Sequence, residues 1–107
     1  MGVSVIAVYR PKPGMQGALD AEMVGHVPLL RRLGLATAMP STVLRAGDGS
    51  ILEHFEWVDH AAIETAHSHP EVLAMWERFG ECCDFATLAD LPNASTMFAE
   101  FEYVDSY

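Results

Sequence analysis

Basic residues are scarce: six Lys and Arg stand against fifteen Asp and Glu, a net charge of −9 with histidine neutral. Binding a polyphosphate by counterion release needs clustered cations, so nucleic acid and anionic membrane are excluded as expected partners. Cysteine is scarcer still, and Cys82 and Cys83 are adjacent. Adjacency is neither a metal-ligand spacing nor usual for a structural disulfide, so they read as two buried thiols in a reducing compartment. No hydrophobic run approaches the roughly 20 residues of a membrane helix, and the start MGVSVIAVYRPKPG has neither the charged lead nor the cleavage site of a signal peptide. Glycine-rich phosphate loops, a GxSxG elbow and metal-type Cys/His spacings are missing too. The expectation is a soluble cytoplasmic protein with no cofactor and no metal.

What is present fits one domain spanning residues 1–107, half apolar and large enough for a single modest core. VSVIAVYR (3–10) is β-rich and apolar on both faces, with Val3, Val5, Ala7 and Tyr9 on one side, which predicts a central strand. From Met15 the apolar positions Leu19, Met23, Val27, Leu30 and Leu33 recur at helical spacing, and Gly34 is placed to end that helix in a left-handed cap. STVLRAGDGSILEHFEW predicts a hairpin around AGDG. Asp59 reads as the N-cap of a short helix, and Pro70 opens another in PEVLAMWERFGECC. ADLPNAS reads as loop and TMFAEFEYV as a closing strand. This order predicts an α+β fold, a ferredoxin-like βαββαβ antiparallel sheet with helices on one face. The uncovered face also alternates apolar residues, so a second copy packed sheet to sheet, a homodimer, is expected.

Chemistry falls to the histidines. His26 borders the buried stripe of the first helix, and Pro28 removes a backbone donor just after it, so a break is expected there that either leaves a helix-edge ring or aims it into a pocket. His54 lies mid-strand in ILEHFEW, either paired to a core acceptor or lining a pocket. His67 and His69 flank a turn before Pro70 and should diverge rather than share a metal. Tyr9, Trp57, Trp76, Phe79 and Tyr103 are either core or a stacking surface for a flat aromatic ligand. Arg45 is either an edge residue or a clamp for an anionic oxygen.

Two stretches resemble the dimeric α+β barrel superfamily. GHVPLLRRLGL is similar to the His-x-Pro-Leu segment of EthD-like proteins, and AHSHPEVLAMWERFGE (66–81) resembles a segment of tetracenomycin-type aromatic polyketide cyclases. HFEWVD and AEFEYVDS extend the cyclase likeness. It implies a pocket lined by a helix His-Asp pair, a second-strand arginine and a third-strand histidine. His26 and His54 match the histidines, Val27 stands in the aspartate's place, and Arg45 is the substitute for an arginine whose own position falls near Ala38. EWVDHAAIETAHSHPEV is similar, more distantly, to antibiotic-biosynthesis monooxygenases, with His67 one place from their histidine; Trp76 falls near the iron-ligand histidine of their haem-degrading branch, which sets haem aside.

The resemblance implies a cofactor-independent cyclase or dehydratase acting on an aromatic or polyketide-like biosynthetic intermediate. His26 and His54 are the expected acid/base residues, and Tyr9, Arg45, His67 and Trp76 the expected substrate contacts. Two alternatives stand beside it: a cofactor-free monooxygenase, and a non-catalytic dimer that binds a small ligand.

Overall fold

A computed structural model describes residues 2–107. Strand β1 (Val3–Pro11) leads into helix α1 (Gln16–Arg32), then β2 (Thr42–Arg45) and β3 (Ile51–Trp57) form a hairpin. Helices α2 (His60–Ala66) and α3 (Pro70–Cys82) follow, then strands β4 (Cys83–Ala86) and β5 (Glu102–Ser106). The five strands form one sheet in the order β4-β1-β3-β2-β5, and every pairing is antiparallel. The fold is therefore α+β, and its strand order is compatible with a ferredoxin-like arrangement carrying an added edge strand.

Local chemistry sets the boundaries. The hairpin turn closes through Ala46 N–H donating to the Ser50 carbonyl at 2.8 Å, with Gly49 at φ 90° supplying the left-handed residue. Gly34, at φ 76°, ends α1, and the Leu35 N–H returns to the Leu30 carbonyl at 2.9 Å. Asp59 caps α2 by accepting from the Ala62 N–H at 2.8 Å, and Pro70 occupies the first turn of α3.

All three helices pack on one sheet face. Leu19, Met23, Val27 and Leu30 of α1 and Val72, Met75 and Phe79 of α3 meet Tyr9, Phe55 and Trp57 in the main core. The anticipated break at Pro28 does not occur: α1 runs through it as one helix, held on either side by buried Val27 and Leu30.

The C-terminal third departs from expectation. The helix ends at Cys82, one residue short of the expected PEVLAMWERFGECC, and Cys83–Ala86 pair with β1 as a strand that the sequence reading did not include. The closing strand spans Glu102–Ser106 rather than starting at Thr96. Geometry supplies the reason. β4 and β5 lie on opposite edges of the sheet, so the intervening chain must cross four strand spacings of about 4.8 Å each. Residues 87–101 make that crossing over the face opposite the helices, where Leu91 and Phe101 pack with Val8, Leu44 and Leu52.

Candidate functional site

The sheet's alternation decides which residues can meet. On β3, Ile51, Glu53, Phe55 and Trp57 point toward the helices, and Leu52, His54 and Glu56 point away. Glu53 has no solvent exposure. Burying a carboxyl group is costly unless its oxygens find donors, and two arrive. The Tyr9 hydroxyl donates to Glu53 Oε1 at 2.8 Å, and His26 Nδ1 lies 2.8 Å from Oε1 and 3.1 Å from Oε2. The far side of the same imidazole is engaged as well: the Trp76 indole N–H donates to His26 Nε2 at 3.1 Å.

This set of contacts fixes the tautomer. An indole nitrogen can only donate, so His26 Nε2 carries no proton. The proton of the neutral ring is then on Nδ1, and Glu53 accepts it. The Nε2 lone pair is therefore covered by the indole N–H for as long as Trp76 keeps this position. Tyr9 anchors the other side of the carboxyl. Burial, then the neighbouring Glu53, push its phenol well above the ordinary 10.0, so it stays a donor throughout the neutral range. The His26 ring is packed edge-on by Phe79 and Phe55, with centroids at 5.0 and 5.6 Å.

Above this group opens a cavity of about 430 Å³, within the range of small-molecule sites. Its walls are almost wholly apolar or aromatic: Val5, Ala7, Phe55, Trp57, Ile63 and Phe85 surround Tyr9, His26, His67 and Trp76. Ala7 lies directly across from Glu53 in the β1/β3 register, and its single methyl leaves the space open. At the exposed rim, His67 packs against Trp76 with centroids 5.0 Å apart. Its Nδ1 sits 2.7 Å from the Ile63 carbonyl, so the neutral ring donates there and keeps Nε2 as an acceptor.

The cavity thus brings together Tyr9, His26, His67 and Trp76, and leaves out two residues expected beside them. His54 is half-buried on the opposite sheet face, across from Ile6 and Thr42, so the two histidines share no cavity. One strand position separates His54 from Glu53, and that step reverses the face. Arg45 is drawn away to Asp20 of α1, at 3.0 and 3.2 Å, and to Glu102 of β5 at 3.6 Å. It ties α1 to the sheet instead of clamping a ligand in this cavity. His69 accepts from the Glu71 N–H at the start of α3, away from His67's partner. Among the described residues no three His, Cys, Asp or Glu side chains are grouped to hold a metal ion.

Sequence reading missed Glu53, the acidic partner whose place on the helix is taken by Val27. A signal was available: in ILEHFEW the one charged residue in phase with Ile51, Phe55 and Trp57 is Glu53. An acid on the buried phase of a strand requires a buried partner. Comparison with models of known families, with curated proteins and with solved structures gives no match.

Proposed function

We propose that the protein is a cofactor-independent enzyme of the cyclase or dehydratase type, in which His26 moves a proton on a neutral aromatic or polyketide-like substrate held in the cavity. One observation carries this reading: a buried imidazole, held in one tautomer by Glu53, has its unprotonated Nε2 capped by the Trp76 indole, and both rings line an apolar aromatic cavity. A general base needs a fixed lone pair within reach of the substrate. A site with few polar groups favours substrates that are flat and uncharged, and strengthens the interactions it does make.

In the proposed step a C–H bond beside a carbonyl breaks and its proton bonds to Nε2. The electron pair moves onto the carbonyl oxygen, and the Glu53 carboxyl faces the imidazolium that forms. Glu53 acts through His26 and is a positioning residue. The working form is a homodimer: Met97 and Phe98 are 82% and 90% exposed, and Ile6 at 47% stands on the uncovered part of the sheet. Large apolar side chains this exposed mark surface that a second copy would cover.

Solvent exchange tests the chemistry. 2-Tetralone, a neutral bicyclic ketone, exchanges its C1 hydrogens slowly in buffered D2O, and the protein should accelerate this equally in air and under argon. Exchange at the buffer rate with the ketone bound would overturn the assignment, and acceleration that required oxygen would favour the monooxygenase alternative.

A further inference from the structure

The hydrogen bond from Trp76 to His26 poses a difficulty for any base mechanism, because the lone pair that must take the proton is already occupied. We propose that Trp76 is both the gate of His26 and the donor to the substrate's oxygen, and that the cavity selects neutral aromatic molecules bearing a proton-donating group. This inference rests on the acid/base reading of the cavity and adds the residue and ligand chemistry that operate it.

While the indole N–H points at Nε2, a ligand without a proton to give has nothing to offer that nitrogen. A phenolic O–H, or an acidic C–H beside a carbonyl, can replace the indole as the group facing Nε2. Once turned away, the indole N–H needs an acceptor, since an unpartnered donor in an apolar cavity is unfavourable. Two neutral acceptors line the cavity, the Tyr9 hydroxyl oxygen, whose proton goes to Glu53, and His67 Nε2 at the exposed rim. A substrate oxygen that gains negative charge is a stronger acceptor than either. Trp76 has room to make the change, because it is only partly buried and forms a wall of the cavity.

The bookkeeping of the step closes without a further reagent. The substrate's O–H or C–H bond breaks, its proton bonds to Nε2, and the electron pair remains on the substrate as a phenolate or enolate oxygen. That oxygen accepts the hydrogen bond Trp76 formerly gave to His26. The donor is thereby aimed where charge develops, and it is released by the same event that creates the charge.

Protein labelled with nitrogen-15 and carbon-13 allows a direct test, because an N–H···N hydrogen bond transmits a scalar coupling between its nitrogens. The free protein should show this coupling between Trp76 Nε1 and His26 Nε2. Saturation with 2-naphthol should abolish it, whereas 2-methoxynaphthalene, which has the same ring system but no O–H, should leave it intact. Shifts of the Val5 and Ala7 methyl resonances report occupancy in both cases. Occupancy by 2-naphthol with the coupling retained, or loss of coupling with both compounds, would overturn the gate while leaving the aromatic-site reading standing. Methyl resonances unmoved by either compound would overturn that reading and the gate with it. In the ketone exchange assay, Trp76→Phe should lower kcat by roughly 10²-fold, as removal of an oxyanion donor does, with KM no higher than in the parent. An unchanged kcat, or a loss confined to KM, would assign Trp76 to packing alone.

Discussion

At the scale of single residues, Glu53 is matched among the described residues by two donors: Tyr9 through its hydroxyl and His26 through Nδ1. Glu53→Gln keeps the shape but offers one accepting oxygen and one amide that can only donate. An amide oxygen at the Oε1 position can still accept from both Tyr9 and His26, but the amide nitrogen in place of Oε2 is then a buried donor that faces the His26 Nδ1 proton at 3.1 Å. Urea unfolding should therefore show a loss of about 1–3 kcal/mol, and the exchange activity should fall because His26 is held less firmly. Alkali provides a second test. Burial, followed by the adjacent Cys82, pushes the Cys83 thiol from 9.0 up to about 12, and Tyr9 is raised above 10.0. Both groups are held protonated by the fold, so their contribution to stability is complete below the ordinary values. It is lost as pH rises through the shifted ones. Unfolding free energy should therefore decline from pH 9 toward about 12, and Cys83→Ala should flatten that decline; an identical slope in the variant would contradict it.

At the scale of elements, α1 carries Pro28 in its interior without a break. The local rule that proline ends a helix is overridden here by burial of Val27 and Leu30 on either side of it. The missing donor still has a cost. Proline is about 3 kcal/mol worse than alanine inside a helix, partly offset by its stiffening of the unfolded chain. Pro28→Ala should thus raise stability by about 1–2 kcal/mol in urea unfolding, with the His26 resonances unmoved. The same elements show what sequence can and cannot convey. Alternation along β1, the helical stripe of α1 and the glycines of the hairpin are local patterns, and each marked its element. His26 was recognisable for the same reason, because it borders that stripe. Its acid was not, because Glu53 lies 27 residues away and meets it only through the antiparallel register that places β3 under α1. The step from Glu53 to its neighbour His54 likewise separates the two sheet faces, a distinction that a motif spanning both residues cannot express.

At the scale of the whole molecule, the sheet's two faces have different fates. One is sealed by helices except for the aromatic cavity. The other is crossed by residues 87–101 and retains a groove of about 870 Å³ along Ile6, Leu44, Leu52 and Phe101. The alternating apolar residues of TMFAEFEYV indicated a strand, but the distance between β4 and β5 obliges most of that segment to bridge the sheet. Its Phe98 takes φ 56°, outside the extended range. If two copies pair through this face, exposed apolar side chains of the crossing segment such as Phe98, 90% exposed, are the ones to be covered. Light scattering at micromolar concentration should return twice the mass of the 11.7 kDa chain, and Phe98→Asp should return the single mass; a monomer in the parent protein would contradict the pairing. On the other face, of the two histidines proposed for acid/base work, His26 alone lines the cavity. Deuterium exchange into 2-tetralone, measured side by side for His26→Ala and His54→Ala, separates their roles. The expected result is exchange at the buffer rate for the first variant and at the parent rate for the second; unchanged exchange without His26, or a collapse on removing His54, would contradict it.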